Sequence, residues 1–274
     1  METSADTVPI KLPAPASPVA LLARFWRHSA GTAITLVLIL AAWFVGSLFL
    51  PEYIFPGIGQ VGRKFATILS HPATYGSIVV TLQRIVGGFV LSSVFGIALG
   101  ILLAMNRPAH TVAMPALKMV AGVPALTWVL LSIIWFKSTE LRVWFITFVL
   151  AFPIVATNTY DGVRSVPADL YQMVQALRPS RTAMLRLLII PSAMPFIFSG
   201  LRVSLSFGGR IAVFAEALSA SSGIGADMYT MDQMFDTAGI VVWTVLLVLL
   251  LTSLDLVLSF IERRWFRWRV EAAR

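Results

Sequence analysis

Residues 163–195 read VRSVPADLYQMVQALRPSRTAMLRLLIIPSAMP, and this stretch decides how the rest of the chain is interpreted. It is basic, with one acid, Asp169, against arginines at positions 164, 178, 181 and 186. Its apolar residues recur with the period of one helix face: Val166, Leu170, Met173, Val174 and Leu177. Ser165 is expected to cap this helix, Pro179 to end it, and Ser180 to cap a second helix. The sequence therefore predicts a basic helix–break–helix between two hydrophobic spans.

Composition places this segment in a membrane protein. The chain has 274 residues, of which 58% are hydrophobic and only 12% are charged. A soluble domain carries about 25% charged residues. The net charge of +8 would favour nucleic acid in a soluble protein, but here the positive residues are expected to mark cytoplasmic loops. The chain lacks cysteine, so we predict neither a disulfide framework nor thiol chemistry.

The apolar runs predict an all-α polytopic protein with about six transmembrane helices. The first run, Gly31–Leu50, carries no charge and is long enough to cross a bilayer core of about 30 Å. The alternative, a cleaved signal peptide, has a shorter apolar core. The spans are expected near residues 31–50, 77–105, 112–136, 143–160, 190–217 and 238–261. Residues 1–30 are expected to form a flexible arm, 31–262 the membrane domain and 263–274 a basic tail.

The distribution of positive charge predicts the orientation. Most of the 21 Lys and Arg residues lie in the N-terminal arm, the 106–110 turn, the 161–187 segment and the tail. By the positive-inside rule these parts face the cytoplasm, together with both termini. The acidic loop 218–237 then lies on the opposite side.

Small residues form a ridge on one face of two spans, at every fourth position in the first, and predict close helix contact. The first ridge consists of Gly88, Ser92, Gly96, Gly100 and Ala104. The second contains Ser192, Gly200, Ser204, Gly208 and Ala212. We interpret such a ridge as a face for core packing or for a dimer contact; the alternative is the general tolerance of membrane helices for glycine.

Catalytic motifs are missing from the sequence. It contains no Gly-x-x-x-x-Gly-Lys-Ser/Thr loop and no His-Glu-x-x-His, so we do not expect this chain to bind ATP through a P-loop, and no motif supports an enzyme. Ionisable residues within or near spans are costly and often functional: Arg84, Arg202, Arg210, Glu216 and Asp255. Arg202 and Arg210 lie about two helical turns apart and would attract an anion if they faced a cavity. The alternatives are snorkelling to the interface and a buried Arg210–Glu216 pair.

The 163–195 stretch resembles the cytoplasmic coupling segment of the inner-membrane permease subunits of ABC importers. Counted back from Ile189-Ile190-Pro191, residues 172–174 occupy the family's Glu-Ala-Ala positions, and Arg178 occupies its glycine. Because that glycine would ease the turn between the two helices, arginine followed by Pro179 is expected to turn by other means. The flanks, including Asn158–Val166 and Ala215–Gly225, look most like the nitrate/sulfonate/taurine branch. The resemblance covers about residues 55–268.

The resemblance implies the type I importer permease fold, with residues 31–262 as the permease domain in the bacterial inner membrane. It also implies a homodimer that acts with two ATPase subunits, which carry ATP and Mg, and with a solute-binding protein; this chain would hold no cofactor and no metal. The implied solute is a small anion such as a sulfonate, taurine or nitrate. A thiamine-precursor vitamin and a heterodimer with a second permease stay open. The alternative of another class is a secondary transporter or channel that acts without an ATPase.

The resemblance also implies two sets of site residues. The residues expected to couple to the ATPase are Asp169, Leu170, Gln172, Met173, Val174, Leu177, Arg178, Ser180, Arg181 and Pro191. Along the translocation pathway the resemblance implies Pro124 and Trp128. Arg202, Arg210 and Glu216 are expected there too, because they are ionisable residues within or near spans. The alternatives are that the coupling segment is only a positive-inside anchor on the membrane surface and that Pro124 makes only a structural kink.

Overall fold

The computed structural model describes Ile34, Thr35 and residues 37–265. The chain divides into two compact units, with the boundary between Ile58 and Gly59. In the first unit, helix α1 (Val37–Phe49) lies within the predicted first span, of which residues 31–33 and 36 are outside the described residues. Trp43 Nε1 donates to the carbonyl of Pro56 at 2.9 Å and the ring packs edge-on against Phe55. The predicted arm, 1–30, and residues 266–274 of the tail also lie outside the described part.

Helices make up all the regular structure described beyond this point. They are α2 (Ile58–Ser70), α3 (Pro72–Met105), α4 (Arg107–Gly122), α5 (Ala125–Trp135), α6 (Thr139–Arg164), α7 (Ala168–Ala176), α8 (Arg181–Met184), a π-helical turn (Leu185–Ile189), α9 (Ile190–Ser219), α10 (Ile224–Gln233) and α11 (Thr237–Trp265). Four of the described helical stretches are long and apolar enough to cross a membrane: Pro72–Met105, Thr139–Arg164, Thr182–Ser219 and Thr237–Arg264. They match the predicted second, fourth, fifth and sixth spans.

The predicted third span, 112–136, is not one helix. It consists of α4 and α5, which are bent by 92° relative to each other. The break falls at Val123, whose φ of −72° and ψ of 129° are extended rather than helical. Pro124 explains the break because a proline ring disfavours the helical region for the residue before it and supplies no N–H for the helix.

Helix α6 is the centre of the second unit and packs along both α3 and α9. The two small-residue ridges allow these contacts. A Cβ added to Gly88 would lie 2.6 Å from Cβ of Thr147, and one added to Gly208 would lie 3.1 Å from Cγ2 of the same threonine. Farther along, Gly100 faces the carbonyl of Ala156 in the same way, at 2.6 Å. Thr147 is therefore held between both ridges, and the described contacts identify the ridges as core-packing faces within one chain.

A second cluster packs α2, α9, α10 and α11 together around Ile68, Ile224 and Trp243. The polar 218–237 region, predicted as a loop, thus contains the helix α10. Asp236 accepts from the Gly239 amide at 2.9 Å, which caps the start of α11, and it forms an ion pair with Lys64 of α2. Burial alone would raise the pKa of Asp236, but the hydrogen bonds from Lys64 and Gly239 lower it below its ordinary value.

Candidate functional site

Helix α7 is the element around which the predicted coupling site is built. The helix is shorter than predicted because α6 continues to Arg164 and Pro167 stands at the N-cap of α7. The prediction that Ser165 caps this helix is wrong. Ser165 is the C-cap residue of α6, and its hydroxyl donates to the carbonyl of Gly162 at 2.8 Å.

The second predicted helix begins as expected. The amide of Ala183 donates to Ser180 Oγ at 3.2 Å, which is the geometry of an N-cap. The helix does not stop before the next span, because α8 continues through the π-helical turn Leu185–Ile189 into α9. A movement of α8 therefore acts on the fifth span directly.

The apolar residues of α7 divide into two groups. Val174 packs inward with Val166 against the buried residues Met184, Leu188 and Ile189. The other three face outward with exposed fractions of 37% for Leu170, 63% for Met173 and 80% for Leu177. This outward face, which we call the α7 outer face, is an apolar surface that the described part of the chain leaves uncovered. Val174, predicted as a docking residue, is half-buried and packs against the start of the next span.

Arg178 lies at the turn between the two helices and has a φ of +49°. Its amide donates to the carbonyl of Gln175 at 2.9 Å, which closes the C-terminus of α7. Left-handed backbone at this position is the conformation that glycine favours at helix ends. The expectation that arginine turns by other means is therefore wrong: Arg178 adopts the left-handed conformation despite its side chain.

The other residues that were predicted to couple to the ATPase lie along α7 and at the starts of α8 and α9. Asp169 is exposed in the first turn of α7, where a negative charge is favourable to the helix dipole. Gln172 is exposed and lines a cavity between α7 and the end of α6. Pro191 stands in the first turn of α9, where its missing N–H costs no hydrogen bond. Arg181 begins α8.

The five residues predicted along the translocation pathway lie in different environments. Pro124 is exposed at the break between α4 and α5. Trp128 is half-buried edge-on to Phe145, with ring centroids 6.0 Å apart. Its Nε1 is buried and finds no acceptor among the described residues. Arg210 is exposed, and its Nε donates to the Ser206 carbonyl of its own helix at 2.9 Å.

Arg202 joins α9 to α11. It lies 2.6 Å from Glu262 and 3.3 Å from Asp255, and it also donates to the Ser259 hydroxyl at 2.9 Å. These three acceptors follow each other at i, i+4 and i+7, on one face of α11. That spacing was a signal in the sequence for a basic partner opposite. Two carboxylates neutralise Arg202, which leaves Arg210 as the arginine of the predicted pair that is available to an anion.

Glu216 does not pair with Arg210. It is fully buried. Its carboxylate accepts hydrogen bonds from Arg84 Nη1 at 3.0 Å, from Thr81 Oγ1 at 2.8 Å and from the Gly225 amide at 3.0 Å. Gly223 is required beside it, because its φ is +110° and a Cβ there would lie 2.7 Å from a Glu216 oxygen.

Arg84 completes this buried network. Its guanidinium also donates to Glu140 at 2.7 Å and to the carbonyl of Ser222 at 2.6 Å. The network thus connects α3, α6 and α9 to the chain that leads into α10. The sequence did not predict that Thr81 and Glu140 belong to this network. The one sequence signal for the network was Arg84, a charged residue inside an apolar run.

The fold and the segment between the fourth and fifth spans define the class, a type I ABC importer permease. In the crystal structure of an amino acid ABC transporter, one chain has a similar fold, with a TM-score of 0.61 over 73% of this chain and 97% of that chain at 15% identity. The family model described as the binding-protein-dependent transport system inner membrane component matches residues 96–267. The protein belongs to that family of membrane-embedded transport subunits.

Named relatives come from the sulfonate/taurine/bicarbonate group. The chain is 29% identical to a putative aliphatic sulfonates transport permease protein of Bacillus subtilis, over 83% of this chain and 88% of the relative. It is 27% identical to the taurine transport system permease protein of Escherichia coli, over 90% and 94%. It is 29% identical to the bicarbonate transport system permease protein of Synechococcus elongatus, over 58% of each.

Proposed function

We propose that this permease imports a small anion, such as a sulfonate, taurine or nitrate, and that a separate ATPase subunit drives it by binding the α7 outer face. ATP and Mg would be held by the ATPase, and this chain would supply the membrane path. The assembly would contain two copies of this chain, two ATPase subunits and a solute-binding protein. It would lie in the cytoplasmic membrane with both termini and α7 on the cytoplasmic side, as the distribution of Lys and Arg indicates.

The observation that carries this proposal is the α7 outer face. Leu170, Met173 and Leu177 expose an apolar surface on a short helix between two spans. Apolar anchors at helical spacing suit insertion of one helix into a groove of a partner. The mechanical link is short, because Val174 packs on Met184 and Leu188 and α8 runs on into the fifth span. Force applied to α7 would reach α9 without a flexible connection.

The choice of solute rests on two supports. The relatives carry the names of sulfonate, taurine and bicarbonate systems, all of which concern small acidic solutes. Arg210 is exposed on a membrane helix and no described carboxylate neutralises it. We propose Arg210, with Pro124 and Trp128 at the break of the third span, as residues beside the path of the anion.

Assembly is tested by purifying the tagged full-length chain from its native host in gentle detergent and weighing the complex by native mass spectrometry. Two copies of this chain with two P-loop ATPase subunits are expected. Leu170→Asp and Leu177→Asp should each lose the ATPase and solute uptake, because a carboxylate would be buried in the contact.

Thr182→Asp is the matched control, since it adds the same charge at an exposed position of the same segment away from the outer face, and it should keep the ATPase. Uptake and ATPase retention that survive both leucine changes would disprove the coupling role of α7. Uptake by the chain without any ATPase would show a secondary transporter. The associated binding protein, screened against sulfonates, taurine, nitrate and thiamine precursors, would identify the solute.

A further inference from the structure

A groove runs behind α7, on the side opposite its outer face. It consists of two adjoining cavities of about 620 and 400 Å³, both lined by Met105, Tyr171 and Ile189. The groove therefore lies between α7, the end of α3 and the start of the fifth span. Its volume is that of a ligand site rather than of a single water molecule.

Helix geometry separates this groove from the ATPase contact. Ala168, Tyr171, Gln172 and Gln175 line the groove. At about 100° per residue these positions centre on the face of α7 opposite the α7 outer face. A partner bound to the outer face would therefore not cover the groove. Any ligand of the groove is a different molecule.

The chemistry of the groove is amphipathic and basic. Met105, Met184 and Ile189 form an apolar floor, while Arg178 lines one cavity and Arg164 the other. No acidic residue lines either cavity, and neither arginine forms an ion pair among the described residues. A guanidinium binds phosphate through paired hydrogen bonds. The groove is thus complementary to an anionic group attached to an apolar body.

The position of the groove indicates where that ligand comes from. Met105 is the last residue of α3, a 34-residue apolar helix, and the polar pair Asn106 and Arg107 follows it. This transition from apolar to polar marks the level of lipid headgroups. Basic pockets between helices at this level suit the headgroups of anionic lipids.

We propose that this groove binds an anionic phospholipid, with its headgroup beside Arg164 and Arg178 and the upper part of its acyl chains on Met105, Met184 and Ile189. The lipid would support α7 from behind and make the position of the coupling helix sensitive to membrane composition. This inference rests on the membrane location of the chain and not on the ATPase contact. It can be tested on the chain without the ATPase. A negative result would therefore reject the lipid site without bearing on the coupling proposal.

The experiment measures thermal unfolding of the full chain in detergent with phosphatidylglycerol, phosphatidylcholine or inorganic phosphate added. Phosphatidylglycerol is expected to raise the Tm by about 3 °C or more, and the other two additives are not. The double variant Arg164→Gln/Arg178→Gln should lose this shift. Arg186→Gln removes an exposed arginine of the same segment outside the groove and should keep it.

A second variant tests the site without changing charge. Ala168→Trp fills the groove and should retain one phosphatidylglycerol fewer than the unmodified chain in native mass spectrometry. Equal shifts in all the variants, or equal lipid retention with Ala168→Trp, would overturn the proposal. Inorganic phosphate that reproduces the full shift would also overturn it, because the ligand would then be a free anion.

Discussion

The guanidinium of Arg84 and the carboxylate of Glu216 lie 3.0 Å apart inside the helical unit, although they are 132 positions apart in the sequence. Glu216 is fully buried, and the side chain of Arg84 is 3% exposed. The pair connects α3 to the C-terminal end of α9. Glu140, the third charged member, is 48% exposed, so its half of the network is in contact with solvent.

The unequal exposure of the two carboxylates predicts unequal effects of mutation. Arg84→Met leaves Glu216 buried without its positive partner and is expected to lower the free energy of unfolding by about 3–5 kcal/mol. Glu140→Gln leaves the buried Arg84–Glu216 pair intact and should cost less than about 1 kcal/mol. Denaturant unfolding followed by circular dichroism measures both. Equal losses would show that Glu140, rather than the buried pair, carries the stability.

The glycine ridge on α3 predicts steric sensitivity at particular positions. Gly88→Ala brings a methyl group against Thr147 and is expected to destabilise the chain by about 1–3 kcal/mol. Gly76→Ala is the control on the same helix, because no atom lies within 4 Å of the added Cβ. This control should be neutral or stabilising by up to about 1 kcal/mol. A loss from Gly76→Ala as large as that from Gly88→Ala would contradict the close α3–α6 contact.

The left-handed backbone of Arg178 predicts that glycine stabilises this turn. Removing the Cβ relieves about 1–2 kcal/mol of steric cost and adds about 0.5–1 kcal/mol of entropic cost. Amide hydrogen exchange in α7 should therefore slow by up to about tenfold in Arg178→Gly. Gln175→Gly, which places glycine inside the helix, should speed exchange instead. Exchange in Arg178→Gly that is no slower than in the unmodified chain would mean that Arg178 carries no strain.

The ion pair of Asp236 predicts a dependence of stability on pH. The folded pKa of Asp236 is lowered from its ordinary value of 3.8, the net result of burial, which opposes ionisation, and the stronger effects of Lys64 and Gly239. Its contribution is therefore fully present above pH 3.8 and is lost as the pH falls through the folded pKa. The Tm of the unmodified chain should fall more steeply below about pH 4 than that of Asp236→Asn.

Two further variants separate the roles of Asp236. Asp236→Asn keeps a side chain that caps α11 and loses the charge, whereas Asp236→Ala loses both and should cost about 1 kcal/mol more. Asp232→Asn, at an exposed position of the same region, should retain the pH dependence of the unmodified chain. A pH profile of Asp236→Asn that is identical to that of the unmodified chain would argue against this ion pair.

Local signals were sufficient for much of the coupling segment. The apolar period of 166–177 predicted a helix, Ser180 was correctly predicted as a cap, and the apolar runs on either side placed the segment between two spans. The error at Ser165 arose because α6 continues through the polar residues Asp161 and Arg164 to reach it. Pro124 marked the position of the broken span, but its 92° angle depends on the packing of α4 and α5 against α6.

The sequence by itself determined the membrane class, the positions of most spans and the family, because hydropathy, helix period and proline act over a few neighbouring residues. Only the tertiary structure decided which faces meet. In the folded chain Val174 packs inward while Leu177 stays exposed, and the glycine ridges pack on α6. Glu216 pairs with Arg84 rather than with Arg210. Each of these choices joins residues that are distant along the chain, and pairing between helices depends on their shapes and registers, which no local pattern contains.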